Sequence, residues 1–281
     1  MKVHFCGVRG STPAPGADFV RVGGHTSCVA IGVGDGPPTL VLDAGTGLRR
    51  LTALLAGAPF RGTILLSHLH WDHTHGLPFF AAGDRPDSSV RLLLPEQGND
   101  PLDLLARCMS PPHFPIRPDE LGGEWSFGAL DEGAHELEDF SVVAREIPHK
   151  GGRTFGFRVS DGRTTLAYLS DHAPQNLGPG PEGLGEYHAA ARRLIEGADV
   201  LIHDGQYTAA ELPARGYFGH AAAEYAAGMA HECGVGRVML FHHDPTRTDA
   251  EVDELLANVR ARTTVPIDVA REGDVVEVAE T

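Results

Sequence analysis

The sequence predicts an α/β sandwich in which helices cover the outer faces of packed sheets. Three observations carry this. Short apolar, strand-like blocks dominate the first half, strand and helix patterns alternate in the last third, and neither a linker nor an internal repeat divides the 281 residues. A chain of that length buries a full core, and a single domain over residues 1–281 is expected.

Taken in order, Val3 to Val8 is a strand and Arg9 to Gly16 a loop rich in Gly and Pro. Ser27 to Val33 and Thr39 to Leu42 are strands joined over Gly34-Asp35-Gly36-Pro37, and Leu48 to Leu55 has helical periodicity. Thr63 to Ser67 is a short buried strand leading into His68. Leu77 to Ala82 is helix-like and Val90 to Leu94 a strand. Residues 96–140 carry no clear period, and the Pro-rich run Ser110 to Pro115 is irregular, so an inserted lid or a subunit contact is assigned there. Ser141 to Ile147 is a strand, Phe155 to Ser160 and Thr164 to Leu169 a hairpin, and Gly185 to Glu196 a helix. Asp199 to Ile202, Ala221 to His231, Val235 to Phe241 and Asp249 to Arg262 then alternate strand and helix.

Composition narrows the function. A net charge of −15 disfavours a large nucleic-acid footprint, because phosphate binding needs a basic surface. Four scattered cysteines, Cys6, Cys28, Cys108 and Cys233, form no CxxC pair, which argues against a disulfide framework or a cysteine-rich zinc site. No signal-like N-terminus and no membrane-length apolar run is present, so a cytoplasmic location is expected.

The chemistry lies at the ends of the strands. His68, His70, Asp72 and His73 fall within six positions, and His149, Asp171, His203-Asp204 and His242-His243 each follow a later strand. Residues at one end of neighbouring strands converge, which is how open α/β sheets build sites. Imidazole with carboxylate suits zinc, manganese or iron, and a bridging carboxylate holds two ions roughly 3.5–4 Å apart.

At these residues the chain resembles the metallo-β-lactamase superfamily, whose HxHxDH signature matches His68-x-His70-x-Asp72-His73. The resemblance implies an αββα sandwich over nearly the whole chain. It places one divalent ion on His68, His70 and His149, a second on Asp72, His73 and His242, and Asp171 between them. His243 is the alternative to His242; Asp43 matches a structural aspartate. Val200 to Gly205 and Gly219-His220-Ala221 resemble the phosphodiesterase branch, which includes tRNA 3′-end-processing endonucleases and cyclic-phosphate phosphodiesterases. By that likeness His220 is a proton donor held by Asp204, acting with Asp72 in catalysis through a hydroxide shared by the ions. The short interval from His149 to Asp171 leaves no room for a tRNA-binding arm, so the expected partner is a small cyclic or linear phosphodiester. A homodimer is a further expectation from the resemblance.

Two rivals remain: a thioesterase or lactonase using the same hydroxide on a carbonyl, and a metal sensor with a site plugged by residues 110–120. Arg9 is a candidate phosphate contact and His25 a candidate pocket residue, each against an ordinary loop role. Trp71 is expected to pack beside the site and His75 to cap or face solvent. His172 is expected to orient Asp171. His4, His113, His135, His188 and His231 are assigned no role, apart from His113 in the possible lid.

Overall fold

The computed structural model describes residues 1–279. Two seven-stranded sheets face each other. The first contains β1 (Lys2–Gly7), β2 (Cys28–Gly32), β3 (Leu40–Leu42), β4 (Arg61–Leu65), β5 (Ser89–Pro95), β6 (Glu124–Leu130) and β14 (Val275–Glu277), in the order β14-β1-β2-β3-β4-β5-β6. The second contains β7 (Gly133–Leu137), β8 (Phe140–Ile147), β9 (Thr154–Ser160), β10 (Thr165–Leu169), β11 (Val200–Asp204), β12 (Arg237–Phe241) and β13 (Ile267–Val269), in the order β13-β12-β11-β10-β9-β8-β7.

Both faces of the first sheet are apolar, and alternation assigns each residue to one of them. Val3, Phe5, Val29, Ile31, Leu40 and Leu42 pack toward the second sheet. Cys6, Cys28, Ala30 and Val41 turn outward beneath α1 (Leu48–Leu54) and α2 (Pro101–Ala106). The buried cysteines are therefore core residues, and all four in the chain are free thiols. On the far side, α3 (Ala189–Ile195) covers β8, β9 and β10, and α5 (Ala223–Glu232) covers β11 and β12. α6 (Asp249–Arg260) packs on β13 and α5. A short α4 (Leu212–Arg215) lies near the cleft described below. α6 opens with a capping box between Thr248 and Glu251, which satisfies two otherwise unpaired backbone N–H groups. The helix–sheet–sheet–helix layering is the one expected from the resemblance.

Strand positions agree with the sequence reading to within about two residues. Three regions differ. Leu77 to Ala82 shrinks to a single 3-10 turn, Leu77–Phe79, with Pro78 in its first turn and Phe80 already out of helical geometry. β13 and β14 are three residues each, too short to leave a periodic signal. Residues 96–140 supply β6 and β7, the edge strands of opposite sheets, and α2, whose N-cap is the Asp100 side chain accepting from Leu102 N and Asp103 N. No helix among the described residues is long and apolar enough to cross a membrane.

The parallel halves of the two sheets position the site. β10, β11 and β12 run parallel in register, Leu169 beside His203 and Asp204 beside Phe241. Asp171, Asp204 and His242 therefore leave at one end. β3 and β4 are likewise parallel, which brings Asp43 beside the chain that carries His68.

Candidate metal centre

Two clusters of ligand-type atoms meet there. His68, His70 and His149 form one, Asp72, His73, Asp171 and His242 the other, with the ligand-type atoms of each cluster within 4.8 Å of one another. Asp171 touches both: Oδ1 is 3.9 Å from His68 Nε2, 3.6 Å from His149 Nε2 and 3.4 Å from His242 Nε2. Its Oδ2 is 3.0 Å from His73 Nε2. Asp72 Oδ2 is 3.0 Å from His242 Nε2 and 3.2 Å from His73 Nε2, and it accepts from Ser11 N at 2.7 Å.

Hydrogen bonds on the far side of the rings fix which nitrogen faces inward. His73 Nδ1 bonds Asp43 Oδ2 at 2.8 Å, and His149 Nδ1 donates to Gly219 O at 2.7 Å. His242 Nδ1 donates to Gln206 Oε1 at 2.8 Å, and His68 Nδ1 meets Ser67 Oγ at 3.0 Å. Each arrangement turns Nε2 into the centre. Gly219 adopts φ 95°, which favours glycine, and so turns its carbonyl to His149. Gly10 also has to be glycine, since a Cβ there would lie 2.4 Å from His242 Nδ1.

The donor set fits metal cations. His68 Nε2, His73 Nε2 and Asp171 Oδ2 are buried without a hydrogen-bond partner; the last two approach to 3.0 Å but lack hydrogen-bond geometry. Buried polar atoms left in that state are costly unless something coordinates them. Burial raises the Asp171 carboxyl, but His242, His73 and His68 outweigh it and hold the group well below the usual range. Asp72 behaves alike, burial being outweighed by His73 and His242. Burial pushes down on His73, yet Asp72, Asp171 and Asp43 hold it well above the ordinary value. Three carboxylates around one ring draw positive charge into the cluster, and a proton or a metal cation supplies it.

Asp43 anchors the first sheet's side of the centre. Besides His73 it accepts from Ser67 N at 2.6 Å, Ser67 Oγ at 2.9 Å and Tyr168 Oη at 2.7 Å. It holds a left-handed backbone, φ 61°, as does His242 at φ 57°, a conformation that costs non-glycine residues about 1–3 kcal/mol. Asp43→Asn places an amide donor where four donors converge. A loss of about 10–100-fold in metal affinity is expected by chelator competition, with the circular dichroism spectrum retained. Unchanged affinity would show that the aspartate only supports the fold.

Beside the metal cluster, His220 Nδ1 bonds Asp204 Oδ2 at 3.0 Å and lies 3.6 Å from Asp171 Oδ1. Asp204 also accepts from His172 N and Ala221 N, each at 3.2 Å, so its carboxylate is fixed. His220 Nε2 has no protein partner among the described residues. The ring lines a cleft of about 630 Å³ with His70, Asp72, His149, Asp171 and the exposed Trp71. None of residues 110–120 lines this cleft among the described residues.

Some candidates have other places. Arg9 is fully buried, donating to Gly23 O, Asp244 O and Arg247 O and lying 3.6 Å from Asp249, so it ties loops together and does not reach a substrate. A buried guanidinium needs such partners. His25 bonds Thr46 Oγ1 at 3.2 Å and lies outside the cleft. His243 points the opposite way from His242, with Nε2 donating to Ala270 O at 2.9 Å.

The His172 ring does not orient Asp171. Its Nδ1 donates to His203 Nε2 at 3.0 Å and its Nε2 accepts from His188 Nε2 at 2.9 Å, in a chain that starts with His203 Nδ1 donating to Asp204 O. One proton per ring satisfies every link, so all three are neutral. Burial, then His203, pushes His188 down to about 4. Its unfolded-state value is near 6.5, so stability is full above that pH and falls as pH drops from about 6.5 to about 4. The stability advantage of wild type over His188→Asn should shrink across that window in urea titrations. A difference independent of pH would contradict this.

Sequence reasoning did not single out Gln206, Ser67, Tyr168 or the Ser11 amide, all of which hold the centre. Their residue types are common, although Gln206 two positions after Asp204, Ser67 directly before His68 and Ser11 in the Gly-rich loop after Arg9 each stood at a suggestive position.

The Beta-lactamase superfamily domain matches residues 39–243. Ribonuclease Z of Salinibacter ruber is 28% identical over 223 residues, 64% of this chain and 67% of that protein. The metallo-beta-lactamase fold protein YhfI of Bacillus subtilis superposes with a TM-score of 0.70 at 18% identity, over 98% of this chain and 99% of its own. A diphosphatase from the PhnP family gives 0.69 at 16% identity, over 98% and 97%. At such identities the two structures establish the shared fold.

Proposed function

We propose, for a chain that belongs to the beta-lactamase superfamily, that it is a metal-dependent hydrolase of the phosphodiesterase branch acting on a small phosphodiester with two divalent ions. The observation that carries this reading is Asp171, whose oxygens face both ligand clusters while the Asp204–His220 pair stands beside them over an open cleft.

His68, His70 and His149 would hold one ion, Asp72, His73 and His242 the other, and Asp171 both. When bound, such ions polarise a phosphoryl oxygen and make a water nucleophilic near neutral pH. Zinc, manganese and iron all accept this donor set. The chain's own part is proton delivery and alignment. A water loses a proton to solvent as its oxygen adds to phosphorus, the bond to the leaving oxygen breaks, and His220 Nε2 gives that oxygen a proton, later replaced from solvent. Asp204 fixes the ring so that Nε2 faces the cleft. The interval between His149 and Asp171 is filled by β9, β10 and the turn at Asp161 to Thr164, and a net charge of −15 supports a small substrate over a long polymer.

Purified, metal-loaded protein should release p-nitrophenol from bis(p-nitrophenyl) phosphate, lose this on chelation and regain it with added metal. Turnover of thioesters or lactones with none of the diester would move the reaction to a carbonyl. The name of the Salinibacter ruber relative favours one second reading, a ribonuclease. Cleavage of a 3′-extended RNA far faster than the diester would establish it.

A further inference from the structure

A second cavity, of about 450 Å³, lies next to the metal cleft on the side of α1 and α2. Its floor is apolar: Leu77, Leu105 and Met109 are buried there. At its mouth the rings of Phe79 and Phe114 meet edge to face at 5.9 Å, and Phe79 is 57% exposed. An exposed Phe over an apolar hollow is the kind of surface that soluble proteins keep for a ligand.

The partition between this cavity and the metal cleft is thin. Leu69, the residue between His68 and His70, lines both. Next to it the Trp71 indole, on the cleft side, stacks on the His75 ring, on the cavity side, at 5.5 Å and 18°. Arg49 of α1 also lines the cavity, and its guanidinium has no ion pair or hydrogen bond among the described residues. Arg49 is exposed at the edge of the hollow, where its guanidinium is open to an anionic ligand.

From these observations we propose that the cavity binds the apolar part of the substrate whose ester group is held at the metals, with Leu69 as the shared wall. The substrate class is then an amphipathic phosphoester, carrying an alkyl or aryl group, and the cavity sets specificity while the cleft performs the chemistry. The proposal rests on the reading that a phosphoester occupies the metal cleft.

Metal-loaded protein is titrated calorimetrically with methyl phosphate and with hexyl phosphate. The longer chain should bind at least about 10-fold more tightly, since each buried methylene adds to affinity. Leu104→Trp, which fills the cavity from its half-buried wall, should bring the hexyl-to-methyl ratio to within about twofold, and Phe79→Ala, at an exposed position, should lower it. Equal affinity for both phosphates in wild type, or a ratio untouched by either variant, overturns the cavity's role. A hexyl preference lost in Leu104→Trp supports it even if bis(p-nitrophenyl) phosphate is not turned over, and that failure would count against the reaction class alone.

Discussion

Asp171→Asn is expected to lower kcat/KM for bis(p-nitrophenyl) phosphate by about three orders of magnitude or more. The effect follows from the position of the carboxylate. It is buried, and its oxygens approach four imidazole nitrogens at 3.0 to 3.9 Å, drawn from both ligand clusters. Asparagine keeps the shape and removes the charge. The cluster then loses the one group common to both halves, while the rings of His68, His73, His149 and His242 remain held by Ser67, Asp43, Gly219 and Gln206. Metal ions stabilise charge in a transition state by several kcal/mol, and each 1.36 kcal/mol is tenfold in rate. Elemental analysis should show metal content falling along with activity, and an unchanged circular dichroism spectrum would separate this from unfolding. Wild-type metal content with wild-type turnover would refute the bridging role.

The second large effect belongs to His220. His220→Ala should reduce kcat by about 10²–10⁴-fold on a diester with an alkoxide leaving group. With p-nitrophenolate, which departs without protonation, the loss should be markedly smaller. Geometry motivates the contrast: Nδ1 is occupied by Asp204 at 3.0 Å, and the ring lines the cleft. Asp204→Asn should show the same dependence on leaving group, since the ring would lose its anchor. The ring's 3.6 Å approach to Asp171 Oδ1 supplies the competing explanation, a role in metal binding. Equal losses on both leaving groups, accompanied by loss of metal, would establish that explanation instead.

Much of the site was legible from the chain because metal chemistry restricts residue types so severely. A run that offers His68, His70, Asp72 and His73 within six positions has few uses other than coordination. The strand blocks before Asp171 and His242 placed those residues at one end of the sheet, and β10 to β12 run parallel there. The roles of individual loop residues were harder to read. Arg9 and His25 stand in a Gly-rich loop that suggests anion binding, but the anion that this loop's Ser11 amide meets is the Asp72 carboxylate. Burial then commits Arg9 to carbonyls as far along the chain as Asp244 and Arg247.

The sequence by itself determined the layered α/β class through local periodicity and the His68 to His73 run as a contiguous motif, while the Asp204–His220 pair followed from the resemblance of two separate segments. Only the tertiary structure decided which way each ring points. Adjacent His242 and His243 diverge because His242 takes a left-handed backbone, leaving one ring at Asp72 and the other at Ala270 O. His172 likewise turns to His203 and His188, and Gln206, Tyr168 and Ser67 become anchors through contacts that mostly span 36 to 125 positions. The cavity behind Leu69 is of the same kind. It exists because α1, α2 and the loop around Phe114 pack around a common hollow, and no stretch of sequence contains that hollow.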